Sequence, residues 1–139
     1  MKRTTVILNL LAICLGSVFA TAAAGTGPTA EPFAIALADL SGTWIGKTEV
    51  PNQGMDELTM ALKKTDGGYA GTVVDSLGLI VRDTEMKNIE IKGDVMTFTF
   101  PLVDDAIIIC RMKIAGDKIT GAWEHPEGSS GALEFTLRK

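Results

Sequence analysis

Leu58-Thr59-Met60-Ala61-Leu62-Lys63-Lys64-Thr65-Asp66-Gly67-Gly68-Tyr69-Ala70-Gly71-Thr72-Val73 is the stretch that decides the fold of this chain. Leu58, Met60 and Leu62 fall on one side of an extended backbone, with Thr59, Ala61 and Lys63 on the other. That period of two is the mark of a strand with one face buried and one face wet. Thr65-Asp66-Gly67-Gly68 then has the composition of a tight hairpin turn, and the chain returns over 69–75 until Ser76-Leu77-Gly78 breaks it. A strand, a short turn and an antiparallel return form the unit on which the rest is built.

The same rhythm runs in both directions from this hairpin. Upstream, 43–50 reads as a first strand with Trp44 on one face and Lys47 and Glu49 on the other, and Pro51-Asn52-Gln53-Gly54 supplies the turn. Downstream, Leu79-Ile80-Val81 is a short apolar piece, read as an irregular strand or a rim segment. The stretch 84–92 alternates weakly, with Ile89 and Ile91 on one face, and Lys92-Gly93-Asp94 turns the chain. Met96, Phe98 and Phe100 then share a face against Thr97 and Thr99, and Pro101 suits a strand end or edge and not a central ladder position. The longest strand, 106–114, sets Ile108, Cys110, Met112 and Ile114 on one face, and Ala115-Gly116-Asp117 turns it back through 118–124. A polar loop, 125–131, leads to a closing strand, 132–138, with Leu133, Phe135 and Leu137 aligned. About eight or nine strands spaced roughly ten residues apart predict an all-β, antiparallel up-and-down meander closed into a small barrel. Glycines recurring inside strands fit the bends and close backbone approaches of such a barrel.

The N-terminal region reads differently. Lys2 and Arg3 precede an apolar run from Val6 to Phe19, and Val18-Phe19-Ala20 places small residues where a signal peptidase reads them. The expectation is a secretory signal peptide over 1–20, too short and wrongly flanked for a membrane span. Leu11-Ala12-Ile13-Cys14 approaches a lipoprotein box, but Ile13 stands where a small residue is required, so anchoring through Cys14 is disfavoured. A breaker-rich leader, 21–39, follows, with a possible short helix near 33–38, and the barrel is expected over 40–139. The implied destination is the periplasm or the exterior, with no transmembrane segment left after cleavage.

Charge and cysteine content narrow the partners. All 17 acidic residues lie beyond Ala20, while loss of Lys2 and Arg3 leaves 11 Lys and Arg, a formal net charge of −6. Nucleic acid is disfavoured because the phosphate backbone needs a basic surface, and purely electrostatic attachment to anionic lipid fails for the same reason. Only Cys110 remains after cleavage, so no intramolecular disulfide is expected despite an oxidising destination.

Gly42-Thr43-Trp44, Leu58-Thr59-Met60-Ala61-Leu62, Gly68-Tyr69-Ala70-Gly71-Thr72, Gly116-Asp117-Lys118-Ile119-Thr120-Gly121-Ala122-Trp123 and Gly131-Ala132-Leu133-Glu134-Phe135 carry a likeness to a family. Together they make the region from Leu40 to Lys139 resemble the uncharacterised bacterial secreted lipocalin-like (calycin-type) β-barrel domains, which occur alone or ahead of enzymes such as serine hydrolases. The layout is also similar to avidin-type barrels, but the polar and tryptophan residues that hold biotin have no counterparts here, and biotin binding is not carried over. The resemblance implies a fold and no particular activity. Gly42-Thr43-Trp44 is echoed by Gly121-Ala122-Trp123, which favours a closure device, glycine allowing a bend and tryptophan sealing one end.

No catalytic constellation emerges, and no cofactor or metal is expected. His125 is the single histidine, which leaves neither a zinc set nor a Ser-His-Asp arrangement, and it reads as a solvated rim residue. Asp104-Asp105 and Asp83-x-Glu85 read as solvated turn carboxylates without calcium-loop spacing. Cys110 faces inward with no basic neighbour on its own face, which marks an inert packing thiol. A barrel of this size is either filled by its own side chains or holds one small ligand. The leading expectation is non-catalytic binding of a small hydrophobic or amphipathic ligand in the lumen, with Trp44, Met60, Phe98, Phe100, Cys110, Met112 and Trp123 as candidate lining residues. The rival is an accessory protein-interaction or structural module of the cell envelope with a fully packed interior.

Overall fold

A computed structural model describes residues 38–139. The signal peptide expected over 1–20, Cys14 and nearly all of the leader with its possible helix lie outside the described residues. Nine strands are present among those described: β1 (Gly42–Val50), β2 (Gly54–Thr65), β3 (Gly68–Asp75), β4 (Thr84–Glu85), β5 (Lys87–Lys92), β6 (Val95–Pro101), β7 (Ile107–Ala115), β8 (Lys118–Glu124) and β9 (Ser130–Leu137). All paired strands are antiparallel, in the order β4-β3-β2-β1-β9-β8-β7-β6-β5. The first strand therefore pairs with both the second and the last. Trp44 stands opposite Met60 on one side and Leu137 on the other, so the meander rolls into a nearly closed barrel.

The remaining gap falls between β4 and β5, within what the sequence presents as one weakly alternating strand. Its first part pairs with β3, and Met86 N–H continues that ladder by donating to Gly71 C=O at 2.9 Å. Its second part pairs with β6 after an irregularity between Lys87 and Glu90, where Asn88 adopts φ +52°. One kinked segment thus faces a different neighbour with each half, and the barrel is nearly sealed without an open hydrophobic edge. Leu79-Ile80-Val81 forms no strand; it belongs to the loop 76–83, with Ile80 buried.

Alternation places the inward residues as the period of two predicts. Leu58, Met60 and Leu62 are buried on β2, Met96, Phe98 and Phe100 on β6, Ile108, Cys110 and Met112 on β7, and Leu133 and Phe135 on β9. Their neighbours Ile107 and Ile109, equally apolar, point outward and are 46% and 52% exposed. Position, not hydrophobicity, decides burial in a strand.

The two ends of the barrel differ. At one end the strands are joined by two-residue turns at 66–67, 93–94 and 116–117, and the incoming chain closes the opening. Leu40 is buried there; its carbonyl accepts from Trp44 Nε1 at 2.9 Å, and its N–H donates to Tyr69 Oη at 3.1 Å. Lys64 N–H donates to Ser41 Oγ at 3.0 Å. The opposite end carries the loops 51–53, 76–83, 102–106 and 125–129. Four of the five ion pairs among the described residues (Lys92–Glu90, Lys113–Asp94, Lys118–Glu134 and Lys139–Asp117) sit toward the short-turn end. All are exposed, so each contributes little to stability.

The inward and outward faces of β7 give a direct test. Met112→Ala should cost about 2–5 kcal/mol through the cavity it leaves, whereas Ile109→Ala should cost less than about 1 kcal/mol. Urea denaturation of both variants checks this; a larger loss for Ile109→Ala would mean that the strand is turned over.

Candidate functional site

The loop end holds a half-open cavity of about 360 Å³. Its floor is apolar: Leu58, Phe100, Ile108, Trp123 and Leu133 come from five different strands. All four loops of this end reach it, through Pro51 to Gln53, Leu79 and Ile80, Leu102 and Asp104, and His125, Glu127 and Ser129.

Trp123 is fixed in the wall by a polar relay. Its Nε1–H donates to Thr48 Oγ1 at 2.8 Å, and Thr48 Oγ1 in turn donates to Ala132 C=O at 2.6 Å. The ring lies over Gly131, its cross-strand partner on β9, where an added Cβ would come within 2.7 Å of Nε1. Glycine at 131 is therefore a space requirement of the indole. The relay satisfies a buried N–H that would otherwise cost about 1–3 kcal/mol, and it ties β8, β1 and β9 together at the cavity wall.

Two carboxylates hold the loop 76–83 in place. Asp56, only 4% exposed, accepts at Oδ1 from Ser76 N–H at 3.0 Å, Ser76 Oγ–H at 2.9 Å and Leu77 N–H at 3.3 Å. Asp75 accepts from Leu79 N–H at 2.7 Å through Oδ2 and from Ile80 N–H at 3.0 Å through Oδ1. Val103 N–H donates to Leu79 C=O at 2.8 Å and joins this loop to its neighbour. The result is a braced rim in which Leu79 and Ile80 overhang the floor.

Of the seven lumen residues expected from sequence, Phe100 and Trp123 line this cavity. Trp44, Met60, Phe98, Cys110 and Met112 do not; all five are at most 1% exposed and pack within the barrel. Trp44 sits at the short-turn end beneath Leu40, and the bulk between the ends is filled by Met60, Met96, Phe98, Cys110, Met112 and Phe135. The two halves of the Gly-x-Trp echo therefore part company, Trp44 sealing the closed end and Trp123 walling the open one. His125 is half-buried and lines the cavity, and its Nδ1 accepts from Glu127 N–H at 3.1 Å. Thr48 and Asp56 were not singled out by sequence, although simple parity reaches them: Thr48 shares the face of Trp44, and Asp56 that of Leu58. Leu79 and Ile80 carry no comparable signal, because a loop has no period.

The wall is mostly apolar, with a few ionisable groups. Asp56, Asp104, His125 and Glu127 are its ionisable groups, and among the described residues no three His, Cys, Asp or Glu side chains converge into a ligating group. Cys110 lies outside the cavity lining, and burial pushes its thiol from 9.0 up to about 12.

These features define a nearly closed antiparallel meander barrel with a cavity at one end. Neither a family model nor a curated protein matches the chain. Among solved structures it is similar to a redesigned β-barrel, with a TM-score of 0.58 and 11% identity over 72% of this chain and 92% of that one. At that identity the likeness concerns the fold alone.

Two outcomes follow for these groups. Thr48→Val should cost about 1–3 kcal/mol by orphaning Trp123 N–H, which thermal or urea unfolding measures. The folded Cys110 keeps its proton between about pH 9 and 12, where the unfolded thiol loses it, so its contribution to stability falls as pH rises through that window. Iodoacetamide at pH 8, followed by peptide mass mapping, should leave Cys110 unmodified until denaturant is added.

Proposed function

We propose that this protein is a secreted or periplasmic, lipocalin-like barrel that binds a small hydrophobic or amphipathic molecule without transforming it. The observation that carries this reading is the half-open cavity of about 360 Å³ with its floor of Leu58, Phe100, Ile108, Trp123 and Leu133. Ligand sites span about 300–1,000 Å³, so the expected occupant is small. Burial of ligand carbon supplies about 25 cal/mol per Å² before ordering costs are subtracted. The braced rim favours a preformed site, which lowers those costs. Export and the lipocalin-like assignment rest on the sequence, the first on residues 1–20 and the second on motifs such as Gly42-Thr43-Trp44.

A specific observation favours a second reading, an accessory interaction module of the envelope. Met55, Leu77, Val81, Val103, Ile107 and Ile109 are exposed, and all belong to the loop end. Exposed apolar residues around one end of a barrel offer surface that a partner would bury. An affinity pull-down from the envelope fraction that returns one stoichiometric partner would favour this reading.

Native mass spectrometry of protein purified from its own host tests the binding reading, with a bound mass of a few hundred daltons expected. Titration with medium-chain alcohols should change tryptophan fluorescence saturably in the wild type and in Trp44→Phe, and leave Trp123→Phe unresponsive. A response that persists in Trp123→Phe and vanishes in Trp44→Phe would contradict the placement of the site.

A further inference from the structure

We infer that the ligand of the loop-end cavity is an amphipathic organic cation whose ammonium N–H pairs with Oδ2 of Asp56. The inference rests on the cavity being a ligand site, and it names the head group that site would select.

The two carboxylates that brace the loop 76–83 provide an internal comparison. Asp75 uses both oxygens, one on Leu79 N–H and the other on Ile80 N–H. Asp56 spends only Oδ1, on three donors from Ser76 and Leu77, and among the described residues nothing donates to its Oδ2. Bracing the loop therefore requires one acceptor oxygen at position 56 and leaves the second oxygen unused.

That second oxygen has an outlet. No sealed side-chain oxygen among the described residues lacks a partner, so the partnerless Oδ2 retains access to solvent. Asp56 is 4% exposed and lines the cavity, the opening through which a ligand would reach that oxygen. A carboxylate oxygen so enclosed gains most from a charged donor, because a charge-assisted hydrogen bond strengthens where water is scarce. The rest of the wall has the same sign. Asp104 and Glu127 stand at the rim, His125 lies beside them, and no Lys or Arg lines the cavity. A fatty-acid carboxylate would meet this field unfavourably, whereas a cation is drawn in. Among the described residues no second and third ligating side chain joins Asp56, which favours a monovalent organic cation over a divalent metal.

The experiment compares decylammonium, decanol and decanoate, each below its critical micelle concentration, by isothermal titration calorimetry. The wild type should bind decylammonium about tenfold or more tighter than decanol, with decanoate weakest. In Asp56→Asn the side-chain carbonyl still serves Ser76 and Leu77, while the charge and the free acceptor are lost. That variant should lose the ammonium preference and hold decanol within about threefold of the wild-type affinity. Equal affinities for the three ligands in the wild type, or a preference that survives in Asp56→Asn, would overturn the head-group inference and leave the cavity reading standing. Failure of all three to bind the wild type sinks the cavity reading itself and the inference with it. If Asp56→Asn does not fold, decyltrimethylammonium replaces it as the probe. Charged but without an N–H donor, it should lose most of the advantage of decylammonium, and keeping that advantage in full would contradict the pairing.

Discussion

Pairing of β1 with both β2 and β9 is the interaction on which the rest of the structure depends. It converts a linear meander into a nearly closed sheet, so every inward side chain meets others across a lumen instead of facing a second layer. Closure also divides the connections between two ends. Three tight turns and the Leu40 plug fall at one end, and the four other loops fall at the other. The cavity lies at the second end, where no described residue plugs the opening as Leu40 does at the first; the loops there are braced at the rim.

Polar groups inside the barrel mark the same division. At the closed end the indole N–H of Trp44 is spent on the backbone carbonyl of Leu40, fixing the incoming chain. At the open end the indole N–H of Trp123 is spent on Thr48, fixing the wall. Two residues of one type, both with a satisfied N–H, thus serve different ends. Asp56 departs from this economy, since one of its oxygens braces a loop and the other has no protein donor among the described residues. Sealed polar side-chain atoms among the described residues are all paired, so this oxygen keeps access to solvent, and its residue lines the cavity.

Much of this was legible in the sequence because strands repeat every two residues. The parity of Leu58, Met60 and Leu62, of Met96, Phe98 and Phe100, and of Ile108, Cys110 and Met112 places each set on one face before any tertiary contact is considered. Gly67-Gly68, Gly93-Asp94 and Gly116-Asp117 announced their turns. The site was harder to read. An inward side chain has the same periodicity whether it packs against another or borders empty space, so Met60 and Phe98 looked as suitable for a lumen as Phe100 and Trp123. Depth along the barrel separates them, and depth depends on cross-strand register. The kink after Met86, at Asn88, was hidden for a related reason: a strand that changes neighbours halfway blurs its own alternation. Leu79 and Ile80 owe their places to the hydrogen bonds their N–H groups donate to Asp75 and to the one Leu79 C=O accepts from Val103 N–H, an arrangement that no period in the sequence encodes.

The chain has two tryptophans, one at each end of the barrel, and their indole N–H resonances report on the ends separately. A 1H–15N correlation spectrum recorded during titration with a small amphipathic ligand tests the placement of the site most directly. The account predicts that the Trp123 Nε1–H signal shifts saturably while that of Trp44 stays fixed. A shift confined to Trp44, or saturable binding that moves neither signal, would contradict it.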